Sequence, residues 1–213
     1  SLVPKLPYAS DKAFAPVILI GRGPNVLVVR TNSPFKTVRD VVVAAAANPE
    51  KVSYASQGNG TSAHLAGEMF TNLAKVKMTH IPYKGSAPAL TDTIAGQTQV
   101  MFPSFFSALP HVRADKLKAL AIAGPKRSAQ LPNVPTLKEM GIDGVEVQQW
   151  YGIFAPAKTP REAIQKLADV AARAAQAPEI RSRLEGMGQE VVGGTPEQLD
   201  ARVKGDLAVY ARI

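Results

Sequence analysis

The sequence predicts an α/β fold, a mostly parallel sheet flanked by helices, and three observations carry that prediction. Short β-rich runs alternate with helical segments from Phe14 to Ala123. Two strand–turn–helix corners follow one another, at 52–65 and 78–90. The 213 residues, 46% of them hydrophobic, suffice for a core in one domain or two small lobes. Alternation of this kind predicts parallel strands with helices on both faces.

Taken in order, 14–20 and 26–30 are β-rich runs separated by the turn-like Gly21-Arg22-Gly23-Pro24-Asn25. A helix over 37–48 is capped within 33–37 and stopped at Asn48-Pro49. Strand 52–55, helix 61–74, strand 78–81, helix 86–95, strand 98–102, helix 104–113 and strand 117–122 complete the alternating part. Residues 124–135 read as loop, 136–140 as a short helix and 141–144 as a turn. A β-rich stretch over 145–154 carries the only tryptophan, Trp150. Helix 161–177 follows, and Pro178 breaks the path into helix 179–187. Thr195-Pro196-Glu197-Gln198 then combines an N-cap, a proline at the first helical position and an amide in the first turn. Leu199, Val203 and Leu207 put an apolar stripe on the last helix. These C-terminal helices have few strands to pack on, only 14–20, 145–154 and 190–192, so their lobe reads as incomplete.

The two corners carry the functional signal. In the first, Val52-Ser53-Tyr54-Ala55 runs into Ser56-Gln57-Gly58-Asn59-Gly60 and then a helix on which Leu65, Met69 and Leu73 form a ridge. Gly58 and Gly60 admit backbone angles closed to other residues, and Thr61 and Ser62 are natural N-caps. The first N–H groups of a helix lack internal partners and sit at the positive end of its dipole, so such a corner holds an anion without a charged side chain. The second corner passes from Met78-Thr79-His80-Ile81-Pro82 through Tyr83-Lys84-Gly85 to a helix expected to be capped by Ser86. Strands that are parallel neighbours would bring both tips to one sheet edge, where open α/β folds bind ligands. Neither corner is a nucleotide fingerprint, since the third glycine of a dinucleotide site and the Lys-Ser or Lys-Thr of a P-loop are missing.

Composition narrows the alternatives. The net charge is +8, but the basic residues are scattered and aromatics make up only 6%, so nucleic acid is not an expected partner. With no cysteine, thiolate metal sites, disulfides and thiol catalysis are excluded. No apolar run is long enough to cross a bilayer as a helix. The first residue is not Met, which suggests a processed or trimmed chain.

Acid–base chemistry finds little support. His64 and Glu68 lie four apart on one helix, but no third metal ligand is near in sequence, so a structural pair is favoured. Ser62 and His64 are two apart on a helix and so point to different faces, outside any Gly-x-Ser-x-Gly elbow. His80 reads as a satisfied strand histidine, His111 as a helix-end group, and Asp92 as solvent-facing. Lys84 suits either solvent or an anion, and Tyr83 and Trp150 either a cavity or the core. A hydrolase or transferase acting on a small anionic substrate remains the alternative to a binding protein, and it needs a nucleophile and base within reach.

The chain resembles the TctC-type periplasmic solute receptors of tripartite tricarboxylate transporters, the Bug receptors. The likeness runs in order through Tyr54-Ala55-Ser56, Gly58-Asn59-Gly60-Thr61-Ser62, His64-Leu65-Ala66-Gly67-Glu68 and Pro82-Tyr83-Lys84-Gly85-Ser86-Ala87-Pro88. It continues with Ala95-Gly96-Gln97, Leu131-Pro132, Val134-Pro135-Thr136, Trp150-Tyr151-Gly152 and Gly193-Gly194-Thr195-Pro196-Glu197-Gln198. The resemblance implies a two-lobed, periplasmic-binding-protein-like (type II) fold with the ligand between lobes. One lobe would hold 26–145 and the other 1–25 with 146–213. It implies a non-enzymatic periplasmic receptor that delivers a small carboxylate to membrane permease subunits, with no cofactor and no metal. The site residues it implies are Ser56, Gln57, Gly58, Asn59, Gly60, Thr61, Ser62 and His64, then Tyr83, Lys84, Gly85 and Ser86. Gln149 and Trp150 are added by their hinge position.

Two departures stand out. Members of the family usually open with a strand–turn–helix segment that completes the first lobe, and this chain starts after it, as a truncated fragment would. Many also carry an acidic residue after Met-Phe, where this chain has Pro103-Ser104. An incomplete sheet exposes an edge and bare apolar faces, from which a homodimer or segment exchange is expected.

Overall fold

The structure is a computed structural model that describes residues 7–9 and 12–210. Its elements run β1 (Phe14–Arg30), α1 (Val38–Ala47), β2 (Ser53–Ser56), α2 (Ser62–Ala74), β3 (Thr79–Pro82), α3 (Ser86–Ala95) and β4 (Val100–Met101). They continue with α4 (Phe105–Arg113), β5 (Leu117–Ala123), β6 (Gln148–Pro156), α5 (Arg161–Gln176), α6 (Pro178–Gly186), β7 (Glu190–Val191) and α7 (Pro196–Tyr210). The chain divides into a central unit, Gly23–Gln149, and a terminal unit made of the described parts of Ser1–Arg22 and Trp150–Ile213.

In the central unit the strand order is β3-β2-β4-β1-β5. β2 is parallel to β3 and to β4, whereas β1 is antiparallel to β4 and β5 on either side of it. The helical crossovers therefore give β4 and β5 one direction, and β1 is inserted between them in the other. The sheet is mixed rather than wholly parallel, because nothing in the alternation fixes the direction of the strand that precedes it.

Helices cover both faces, as buried strands require. One core cluster joins Val41 and Ala45 of α1 and Ala66 and Phe70 of α2 to Tyr54, Phe102 and Val147. The other joins Leu90 of α3 and Phe105 and Leu109 of α4 to Val28, Ala55, Met101 and Ile122. Successive residues Tyr54 and Ala55 fall in different clusters, as the two-residue period of a strand dictates. On α2 the expected ridge holds only in part. Leu65 and Met69 pack on the core, but Leu73 is 48% exposed, and the buried face is Ala63, Ala66, Gly67 and Phe70.

Two local expectations are corrected. Gly21-Arg22-Gly23-Pro24-Asn25 is not a turn but the middle of one 17-residue strand. Gly21 pairs with Val191, and a Cβ there would lie 2.9 Å from the Glu190 carbonyl oxygen, so this glycine serves close strand approach. Residues 136–140 form a turn rather than a helix. The Thr136 N–H donates to Glu139 Oε2 (2.7 Å) and the Glu139 N–H to Thr136 Oγ1 (3.1 Å), as in a capping box. Pairing with β5 holds the segment instead, through Ile122 N–H to the Pro135 carbonyl and Leu137 N–H to the Ile122 carbonyl.

In the terminal unit β1 pairs with β6 and, antiparallel, with β7. Among the described residues one core cluster joins Val17, Ile18, Ala155 and Ala168, flanked by Ile20 and Ile164. Helix α7 starts with the expected cap, the Gln198 N–H donating to Thr195 Oγ1 and the Thr195 N–H to Gln198 Oε1. Leu199 is fully buried, but Leu207 is 60% exposed, so the apolar stripe of α7 is covered only at its start. Among the described residues no helix is long and apolar enough to cross a membrane.

Candidate functional site

The register of β2 on β3 places Ser56 beside Pro82, so the segments that follow leave the same sheet edge side by side. Backbone bonds then tie the two corners together, Tyr83 N–H to the Ser56 carbonyl (3.0 Å) and Gly85 N–H to the Gln57 carbonyl (3.1 Å). Gly58 has φ 133°, and a Cβ on it would lie 3.2 Å from the Tyr83 carbonyl oxygen, so both the angle and the approach call for glycine.

Neither helix tip is capped by a side chain. Thr61 is the N-cap of α2, but its Oγ1 donates to the Gly58 carbonyl (2.7 Å) and makes no capping bond. The N-cap of α3 is Gly85 (φ 118°), not Ser86, which is already the first helical residue. A glycine has no side chain with which to cap. In the same unit α1 carries a full capping box from Thr37 and Asp40, and Ser104 caps α4. Two neighbouring tips are thus left with orphan N–H groups and the positive ends of their dipoles.

Beneath the first tip lies a polar stack that local sequence reading missed. Tyr54 and His80 are register partners on β2 and β3, and their rings stack at 4.9 Å. His80 in turn stacks on His64 of α2 at 4.1 Å. His64 Nδ1 accepts the Gly60 N–H (3.1 Å), and Nε2 of His80 is 2.6 Å from Ser56 Oγ, which accepts the Gly58 N–H (3.1 Å). The Tyr54 hydroxyl donates to Glu68, whose Oε1 is 3.8 Å from His64 Nε2. Burial, with the neighbouring His64, lowers the His80 pKa to about 4, so this ring is neutral at neutral pH. Among the described residues no three His, Cys, Asp or Glu side chains are grouped to hold a metal.

The remaining candidate residues divide. Asn59 and Lys84 are exposed at the turn tips, whereas Ser56 is fully buried and its hydroxyl is used inside the turn. Gln57 is half-buried, with an Oε1 that has no hydrogen-bond partner. Ser62 Oγ accepts from Nδ2 of the buried Asn25 (3.2 Å), and the same nitrogen donates to the Phe102 carbonyl (2.6 Å). Asn25 carries no local signal, being 37 residues from its partner. Tyr83 donates its hydroxyl to Asp92 (2.8 Å), so Asp92 is half-buried and bonded rather than solvent-facing. Burial and this carboxylate push the Tyr83 hydroxyl up to about 12. Gln149 closes the central unit. Trp150 belongs to the terminal unit, and its indole N–H donates to Asp206 (2.7 Å).

The whole chain, residues 1–213, matches the tripartite tricarboxylate transporter family receptors. The chain belongs to this family. It is 41% identical to the UPF0065 protein in the tcbD-tcbE intergenic region of Pseudomonas sp. (strain P51), over 99% of this chain and 63% of the relative. Protein BugT of Bordetella pertussis is 29% identical over 100% of this chain and 65% of its own length. The chain thus spans somewhat under two thirds of these curated relatives.

Solved structures of the family superimpose closely. R. palustris Rpa4515 with adipate gives a TM-score of 0.94 at 30% identity, over 99% of this chain and 71% of that one. MatC from Rhodopseudomonas palustris with bound malate gives 0.91 at 32% identity, over 98% and 72%. The periplasmic binding protein BugD gives 0.88 at 31% identity, over 94% and 68%. The fold is therefore that of the periplasmic-binding-protein-like solute receptors.

Proposed function

We propose that the protein is a periplasmic receptor for a small carboxylate, which it delivers to the membrane subunits of a tripartite tricarboxylate-type transporter. One observation carries the reading: the uncapped tips of α2 and α3 adjoin at one sheet edge, offering N–H donors and positive dipole ends to an anion. The adipate and malate held by the two R. palustris neighbours, and the periplasmic description of BugD, support it. In this reading residues 57–63 and 83–86 contact the carboxylate, Lys84 adds long-range attraction, and no step of bond-making is involved. Isothermal titration calorimetry of the full-length protein with adipate and malate tests it. Micromolar binding of either acid is the expected result, and heat-silent titrations with both would reject it.

The alternative, a hydrolase or transferase, loses its best candidate pair. Ser62 Oγ is bonded to Asn25, and His64 Nδ1 to the Gly60 N–H rather than to a hydroxyl. A nucleophile and base in contact are what such chemistry needs, and the Ser56–His80 contact does not serve, because Ser56 is fully buried and its hydroxyl is used inside the turn.

We further propose that the chain on its own pairs with a second copy or exchanges a segment with it. The terminal unit exposes Ile153, Phe154, Leu167, Val170 and Leu207 beside its core cluster. Light scattering should give twice the mass of 22.6 kDa; a clean monomer would refute the pairing.

A further inference from the structure

We infer that His64 is a positioning residue: it holds the Gly58–Gly60 turn in its ligand-ready shape and does not itself contact the ligand. The inference rests on the receptor reading only for its consequence on affinity.

One ring nitrogen of His64 is committed to a hydrogen bond inside the protein, and the other faces a carboxylate of the same helix. Nδ1 accepts the Gly60 N–H at 3.1 Å, so it carries a lone pair, and the proton of the neutral ring lies on Nε2, which faces Glu68 Oε1 at 3.8 Å. The ring is also fixed face-on, with the His64 and His80 planes 20° apart and the His80 and Tyr54 planes 23° apart. Rotating His64 toward a ligand would break the stack and release Gly60 together.

The turn needs such a hold. Gly60 sits at φ 75° and Gly58 at φ 133°, angles that glycine permits but does not favour over others. An unrestrained glycine pair samples many conformers, most of them aiming their amides elsewhere. Two N–H bonds select one conformer: Gly60 to His64, and Gly58 to Ser56, whose hydroxyl is backed by His80. Because these two amides are spent on the protein, the turn is not a phosphate-cradling loop. Its part is to deliver the chain into α2 with the helix tip open, while Thr61 Oγ1 is drawn off to the Gly58 carbonyl.

The test separates a hydrogen-bonding role from simple packing. His64→Phe keeps a flat ring for stacking and removes the acceptor. His64→Asn shortens the side chain but places an amide oxygen near the position of Nδ1. Amide hydrogen exchange at Gly60, read by NMR, reports on the turn without any ligand. We expect exchange about tenfold faster in His64→Phe and recovery toward wild type in His64→Asn, with thermal melts showing that both variants fold. Adipate and malate affinity should follow the same order, falling about tenfold in His64→Phe. Unchanged Gly60 exchange in a folded His64→Phe, or no recovery with asparagine, would overturn the assignment. If exchange responds as expected while wild type binds neither acid, the positioning role is supported and the receptor reading is what fails.

Discussion

A Cβ built on Gly67 of α2 would clash with one edge of the Tyr54 ring on β2, 2.7 Å from Cδ2 and Cζ and closer still to Cε2. Tyr54 is fully buried, stacked on His80 and bonded to Glu68, so the ring has nowhere to go. Gly67→Ala must therefore push α2 off the sheet, despite alanine's better helix propensity. Overpacking of this kind costs about 1–3 kcal/mol. Urea denaturation should show that loss, and Gly186→Ala, whose site is open, should not show it.

Stability should fall in mild acid because of His80. Its folded pKa, about 4, lies below the ordinary value of 6.5, so between the two the unfolded chain binds the proton and the folded one does not. The contribution is complete above the ordinary value and is lost as pH falls through about 4. Denaturation midpoints measured from about pH 7 down to about pH 4 should drop, and the drop should be shallower in His80→Gln.

Gly58→Ala tests the joint between the corners. It places a Cβ 3.2 Å from the Tyr83 carbonyl at φ 133°, a region that costs other residues about 1–3 kcal/mol. Dicarboxylate binding by calorimetry should weaken by about tenfold or more, because both helix tips shift, while Gly85→Ala should weaken it through φ 118° alone.

Removing a cap that the site does not use should leave binding intact. Thr37→Ala deletes one half of the α1 capping box and costs about 1 kcal/mol, or about 2–4 °C in melting temperature. Affinity for adipate or malate should not change.

Much of the central unit was legible because local signals and long-range structure agree there. The Thr37 cap, the Asn48 stop, the two corners and the helices after them all follow from residues close in sequence. What escaped was set by partners far along the chain. Gly21 to Asn25 looks like a turn until β7 and β5 pair with it on either side, and 136–140 looks helical until β5 holds it. At the site, the two corners follow from the sequence, but it predicts side-chain caps from Thr61 or Ser62 and from Ser86, whereas neither tip has one and the second N-cap is Gly85. The imidazole stack was hidden for the same reason: His64, His80 and Tyr54 sit on three elements. Aligning the corners so that Tyr54 falls beside His80 is the sequence signal that could have revealed it.

The amide of Asn25 has a consequence for what the tip of α2 can hold. It props Ser62 from below while remaining uncharged, and its nitrogen is committed to the Phe102 carbonyl. An aspartate of the same shape would set two oxygens against each other at that carbonyl and install a permanent anion under the helix. The foundation would then occupy electrostatically the place a visiting acid needs. In the proposed receptor, this corner admits an acid through its neutral floor as much as through the donors above it.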